Sequence, residues 1–211
     1  MNSYLGISIG NPYYSRETIK KYINWSKINC DQFAFLIGDD IYKYTYSVFK
    51  SLELSEAYDR VIKIGDDMEK NISRAISDEN YENNCKIIRW GKLSDYDFYN
   101  NLELNLHREF VVNSNFQSDV KEQVSFNLSK KLGDLHLVDS DMPDIHKKLL
   151  YEYMLEELAG LITMSEYLDY EQEVYPGQDL FILTNIYQNH YPQIRKKLPK
   201  ELKRKFISLK Y

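Results

Sequence analysis

The segment that most constrains this chain lies within its first seventeen residues. Tyr4 to Ile7 reads as a short apolar strand and runs into Gly6-Ile7-Ser8-Ile9-Gly10-Asn11, after which a helix-like segment opens at Ser15-Arg16-Glu17. A serine between glycines at a strand-to-helix turn is unhindered and close to backbone N–H groups. Those conditions suit a nucleophilic hydroxyl with an oxyanion site beside it.

Further along, strand-like runs alternate with helical ones. Phe33 to Ile37 and Lys86 to Trp90 read as strands, as do Glu171 to Tyr175 and Phe206 to Leu209. A helix is expected over about Arg16 to Asn29, with Ile19, Tyr22, Ile23 and Trp25 near one face, and a long one over residues 55–77 with Ser55 as N-cap. Asp39-Asp40 can open a helix, and others are expected from Ser94 to Val112 and from Phe116 to Leu132. Asp141-Met142-Pro143-Asp144 starts another, because proline suits a first helical turn. The alternation predicts an α/β fold with a mostly parallel sheet, whose active site lies beyond the carboxyl ends of the strands. Ser8 and Tyr175 both fall at such ends.

A length of 211 residues fits a single domain, 1–211, with a sizeable core. No apolar run is long enough to span a membrane and no signal-peptide pattern precedes Ser8, so the expected compartment is the cytoplasm. Two cysteines, Cys30 and Cys85, provide neither a disulfide framework nor a metal spacing. The net charge of −5 argues against nucleic acid, but its distribution does not. Arg195, Lys196, Lys197, Lys200, Lys203, Arg204, Lys205 and Lys210 face a single acid, Glu201, and a second basic group holds Arg16, Lys20, Lys21 and Lys27. Such groups are either solvated surface or a site for a polyanion.

Tyr153 and Glu157 are four apart on an expected helix and share one face, pairing a phenol with a carboxylate. Taken singly, each has an ordinary reading: a half-buried tyrosine among 19, a surface glutamate, a turn serine at position 8. Together, Gly6-Ile7-Ser8, Tyr153 to Glu157 and Tyr175-Pro176 resemble the cyclodipeptide synthases, in order and spacing, over most of the chain. The family has a Gly-x-Ser segment at its first strand, a Tyr-x-x-x-Glu helix and a late Tyr-His or Tyr-Pro pair. With Tyr175-Pro176 the chain looks closer to the Tyr-Pro group, although Asn11 is a feature of the other.

The resemblance implies a Rossmann-like three-layer fold similar to the catalytic domain of tyrosyl-tRNA synthetase. It also implies two aminoacyl-tRNA substrates, no ATP or other cofactor, no metal, and no obligate protein partner. Ser8 would be acylated, Gly10 would help hold the oxyanion, Tyr153 would hold the α-amino group, Glu157 would move its protons, and Tyr175 would assist ring closure. Carried-over pocket positions are Tyr4, Gly6, Leu93, Gly160 and Glu173, with Asn11 and Tyr99 close by. The family's basic tRNA helix corresponds to residues 55–77, where Lys70 and Arg74 match but Asp66, Asp67 and Glu69 dilute the charge. More of the tRNA contact is therefore expected from Lys196, Lys197, Lys203 and Arg204.

Glu173 lies two residues before Tyr175 and so on the same face of its strand. A basic or hydrogen-bonding substrate side chain could partner it, as could a protein lysine or solvent. Two other readings fit parts of the chain. One is a serine hydrolase with Ser8 in a Gly-x-Ser-x-Gly elbow and a histidine drawn from His107, His136, His146 or His190. The other is a tRNA- or protein-binding module without catalysis.

Overall fold

The computed structural model describes residues 1–132 and 142–211. Its five strands are β1 (Ser3–Ile7), β2 (Phe33–Ile37), β3 (Cys85–Arg89), β4 (Gln172–Tyr175) and β5 (Lys205–Ser208). They form one sheet in the order β3-β2-β1-β4-β5 with every neighbouring pair parallel. Its helices are α1 (Arg16–Asn29), α2 (Lys43–Lys50), α3 (Leu54–Asp78), α4 (Asp97–Val112), α5 (Ser114–Leu132), α6 (Asp144–Glu166), α7 (Phe181–Tyr187) and α8 (Pro192–Arg195). No helix among the described residues is long and apolar enough to cross a membrane.

Strand alternation sorts side chains into two cores. Leu5 and Ile7 of β1, with Phe33, Phe35 and Ile37 of β2, pack under α1 and α3 with Ile19, Tyr22, Val61 and Ile72. Tyr4, Ala34 and Leu36 point the other way, against α4, α5 and α6 with Leu102, Phe116, Met154 and Leu158. The result is three layers, the Rossmann-like α/β arrangement expected. Each fully buried Phe or Ile is worth about 1.5–3 kcal/mol over its exposed state, so either core alone is a strong constraint on register. The C-terminal half of α6 is buried on every side from Leu158 to Glu166, which makes it the central helix of its layer.

Local signals account for several boundaries. Ser15 caps α1 by accepting from the Thr18 amide, with Glu17 in the first turn and Lys27 in the last. Trp25 is only partly buried, while Ile19, Tyr22, Ile23 and Ser26 form the packed face. At α3 the expected N-cap is corrected: Glu53 holds the position without a side-chain hydrogen bond, and Ser55 lies inside the first turn. Pro143 stands at the N-cap of α6, while Asp141 lies outside the described residues.

A buried ion pair ties α3 to the ends of β2 and β3. The Asp39 side chain is almost wholly buried and accepts from Arg89 Nε at 2.6 Å and from the Trp90 amide at 3.3 Å. Arg89 also reaches Asp66 at 2.9 Å, Glu69 at 2.8 Å and the Ile62 carbonyl at 3.3 Å. Gly65 admits this pair, since a Cβ there would stand 2.6 Å from Arg89 Nη2 and 2.7 Å from Asp39 Cβ. Glycine-to-alanine changes inside helices ordinarily stabilise by about 0.5–1 kcal/mol. Here the clash outweighs propensity, and Gly65→Ala is expected to lose about 1–3 kcal/mol in urea unfolding. A gain in stability would contradict this packing.

Candidate active site

The strand order reverses between β1 and β4, because the chain builds outward from β1 through β2 to β3 and then returns to its other side. Ligand crevices in open parallel sheets form at this kind of switch point, outside the strands' carboxyl ends. A cavity of about 390 Å³ occupies that place. Gly6 and Ser8 from β1 and its following turn, Tyr153 and Glu157 from α6, and Glu173 and Tyr175 from β4 all contribute to its wall.

Ser8 is half-buried and its side chain lies beside the Tyr175 phenol. Burial pushes the Tyr175 phenol above its ordinary range, and the neighbouring Ser8 side chain pulls it partly back. Gly177 permits the Pro176-Gly177 bend to lie against the Tyr175 ring, where a Cβ would come within 2.7 Å of Cε1. Gly10 turns the chain after Ser8 at φ +71°, a conformation that favours glycine. The turn is braced from beneath: Tyr14 donates to the Gly6 carbonyl at 3.0 Å, and the Asn11 side chain accepts from the Tyr13 amide at 3.0 Å. Tyr13 in turn meets Tyr22 at 3.0 Å and accepts from the Tyr211 amide at 2.9 Å.

Across the cavity, Tyr153 donates to Glu157 Oε1 at 3.0 Å, as their i, i+4 spacing allows. Oε2 of Glu157 is buried with no hydrogen-bond partner among the described residues. Desolvation pushes the Glu157 carboxyl up to about 7, partly offset by Tyr153, with the nearby Glu173 raising it further. A buried acceptor left unsatisfied costs about 1–3 kcal/mol, so this carboxylate is poised for a donor from outside the chain.

Glu173 has a protein partner, and it is not a lysine. Arg204 donates from Nη2 at 2.6 Å and from Nε at 3.2 Å, both to Glu173 Oε2. The same guanidinium grips Asp179 at 3.0 and 2.5 Å and stands over the Tyr187 and Phe206 rings. Its side chain is 5% exposed. The expectation that Arg204 contacts tRNA is therefore corrected: it is a buried counter-ion behind the cavity wall. Lys203 is exposed but paired with Asp169 at 2.5 Å. Lys196 and Lys197 are exposed. On α3, Lys70 pairs with Asp67 at 3.2 Å and joins Arg74 in a shallow depression.

Other pocket expectations are corrected by packing. Leu93 and Tyr99 are buried and do not reach the cavity. Gly160 lies under the Trp90 indole, where a Cβ would come within 2.2 Å of Cζ2, so it supports Trp90, which does line the cavity. Gly10 and Asn11 are exposed outside the wall, and the Asn11 amide donates back to the Ser8 carbonyl at 3.4 Å. Tyr4 is fully buried beside Glu173. For a hydrolase, none of His107, His146 and His190 lines the cavity, and His136 lies outside the described residues. His107 instead sits by Glu152 and Glu103. Among the described residues no His, Cys, Asp and Glu cluster could hold a metal ion.

The cyclodipeptide synthase family profile matches residues 3–195, and the chain belongs to that family. No curated protein matches it. Among solved structures it is similar to a cyclodipeptide synthase from Bacillus thermoamylovorans, with a TM-score of 0.80 and 19% identity over 100% of this chain and 88% of that one. It is similar to a Mycobacterium tuberculosis protein described as showing that these enzymes are related to type I tRNA synthetases (TM-score 0.72, 16% identity, 88% and 78% covered). A third similar structure, from Candidatus Glomeribacter gigasporarum, is bound to Phe-tRNAPhe (TM-score 0.69, 18% identity, 98% and 86% covered).

The Glu157 carboxyl has a definite pH signature. It holds its proton in the folded chain after the unfolded chain, with an ordinary value of 4.5, has lost it. The stability it contributes is complete at acid pH and is lost as pH rises through about 7. Glutamine is neutral throughout, so the thermal midpoint of Glu157→Gln relative to wild type should climb as pH rises from acid to above neutrality. A constant offset across that range would contradict the desolvated carboxyl.

Proposed function

We propose that this chain joins two aminoacyl groups from aminoacyl-tRNAs into a cyclodipeptide, a 2,5-diketopiperazine, by ping-pong transfer through an aminoacyl ester on Ser8. One observation carries the reading. Ser8, Tyr153, Glu157 and Tyr175, up to 167 positions apart in sequence, share the wall of a single cavity at the sheet's switch point. Family membership and a related structure bound to Phe-tRNAPhe support the substrate class. Tyr175-Pro176 supports a place in the Tyr-Pro group, and the whole of 1–211 acts as one catalytic domain.

The steps follow from the residues. Ser8 Oγ attacks the first ester carbonyl, the bond to the tRNA ribose oxygen breaks, and the tRNA leaves with the proton. The acyl group keeps its α-ammonium against Tyr153 and Glu157. Glu157, with its carboxyl near neutrality, takes the ammonium proton, and the freed amine attacks the second aminoacyl-tRNA. The second tRNA departs and a dipeptidyl ester remains on Ser8. Its terminal amine closes on the ester carbonyl, and Tyr175, beside Ser8, assists the return of a proton to Oγ. No ATP is needed, because both esters arrive activated. The cavity wall must hold water off the ester, since hydrolysis competes.

Ser8→Ala should keep its circular dichroism spectrum and yield no diketopiperazine by mass spectrometry when expressed in a bacterium. Tyr153→Phe and Glu157→Gln should still release one equivalent of deacylated tRNA but stall before product. A folded Ser8→Ala protein with full yield would remove the covalent route, and failure of both other variants to release any tRNA would reverse their roles.

The tRNA surface is proposed at Lys196 and Lys197, with Lys70 and Arg74 as a second contact. Reversing the charge of Lys196 and Lys197 should weaken tRNA binding and flatten its dependence on salt. Unchanged affinity would assign the tRNA to the α3 face.

A further inference from the structure

Among the described residues two carboxylates, Glu157 and Glu173, belong to the cavity wall, and no Lys, Arg or His does. The α-ammonium assigned to Glu157 leaves Glu173 to be accounted for. Arg204 does not neutralise it fully, because the same guanidinium is held by two hydrogen bonds to Asp179. Glu173 and Asp179 thus share a single guanidinium. Both Arg204 contacts fall on Glu173 Oε2, leaving Oε1 without a charged partner among the described residues. The Glu173 side chain is 8% exposed, and an under-compensated buried carboxylate is costly.

Geometry relates this charge to Ser8. Tyr4 is the register partner of Glu173, and Tyr4, Gly6 and Ser8 are successive same-face positions along β1 and its extension. A Cβ built on Gly6 meets nothing within 4 Å, so the way along the strand from Ser8 toward Glu173 is open. Four residues of strand span about 13 Å between the two Cα levels. A short side chain on an ester at Ser8 falls well short of that depth. The Ser8 side chain and ester carry the acyl Cα about 5 Å from the Ser8 Cα, a lysine or arginine stem adds about 6 Å with methylenes against apolar surface, and a charged contact of about 3 Å at its tip completes the span. Leu36, Met154 and Leu161 supply apolar wall for the stem.

We propose that the amino acid loaded on Ser8 has a long cationic side chain, lysine or arginine, received by Glu173, with Arg204 as the positioning residue that aims the Glu173 carboxylate. This rests on the reading that Ser8 is the acylated residue.

The full chain, incubated with a bacterium's total tRNA charged with all twenty amino acids, tests it by intact-protein mass spectrometry. The wild type should carry a lysyl or arginyl adduct in more than about tenfold excess over leucyl, phenylalanyl or histidyl ones, the discrimination expected of one buried charge pair. Glu173→Gln keeps the shape and an acceptor for Arg204 but drops the charge, and should lose most of that excess. Gly6→Val blocks the path without touching charge and should exclude the long adduct while Glu173 remains in place. A wild type that prefers aliphatic or aromatic groups overturns the proposal whatever the variants do. A histidyl preference overturns the length requirement and with it the proposal. If the folded wild type acquires no adduct of any kind on Ser8, the covalent reading itself falls and takes this inference with it.

Discussion

The parallel pairing of β1 with β4 is the constraint on which the rest depends. Tyr4 stands opposite Glu173 and Leu5 opposite Val174. A buried hydrogen bond from Ser3 Oγ to Gln172 Oε1 at 2.8 Å fixes the start of the pairing. A one-residue slip would carry Tyr4, Gly6 and Ser8 to the other face of the sheet, where Leu5 and Ile7 now pack with α1 and α3. The sequence cannot tolerate that slip, since Leu5 and Ile7 would then face the cavity. Pairing and core thus place Ser8 beside Tyr175 before any side chain of the site forms a bond. Helix α6, buried through its C-terminal half, then brings Tyr153 and Glu157 to the same space.

Burial costs charge, and the chain answers that cost differently at different points. Asp39 is repaid by Arg89 and the Trp90 amide. Glu166 is buried and accepts from Tyr187 at 2.9 Å and from the Lys203 and Arg204 amides at 3.1 and 3.2 Å, which fixes the entry to β5. At the cavity the balance is left incomplete. Glu157 keeps one oxygen unsatisfied, and Glu173 shares its counter-ion with Asp179. Stability lost at these positions is the usual signature of a site built for something that arrives later.

The sequence showed the strands well because their buried runs have few rivals. Phe33–Ile37 was plain from five apolar residues in a row, and α1 from a capping serine and a clear apolar stripe. It showed α7 and α8 poorly. Phe181–Tyr187 is seven residues rich in aromatic and β-branched types, and Pro192–Arg195 is a single turn, so neither has a periodicity to read. The site was legible where motif residues lie at strand ends or at i, i+4 on a helix. It was illegible where sequence-distant side chains meet. Arg204 looked like one more cation in a basic run, and nothing in linear order tied it to Glu173 and Asp179. Its place follows from the β4–β5 register, which sets Glu173 opposite Phe206. Gly160 lies one layer too deep because Trp90 comes between it and the cavity, a packing choice without a sequence signal.

The central claim is that Ser8 carries the acyl group between two tRNAs. Its most direct test is peptide mapping of the protein quenched in acid after mixing with radiolabelled aminoacyl-tRNA. The account predicts label on the peptide that contains Ser8, held by an alkali-labile ester and chased into diketopiperazine when a second aminoacyl-tRNA is added. Label on another residue, or diketopiperazine formed while the Ser8 peptide stays unlabelled throughout, would contradict it.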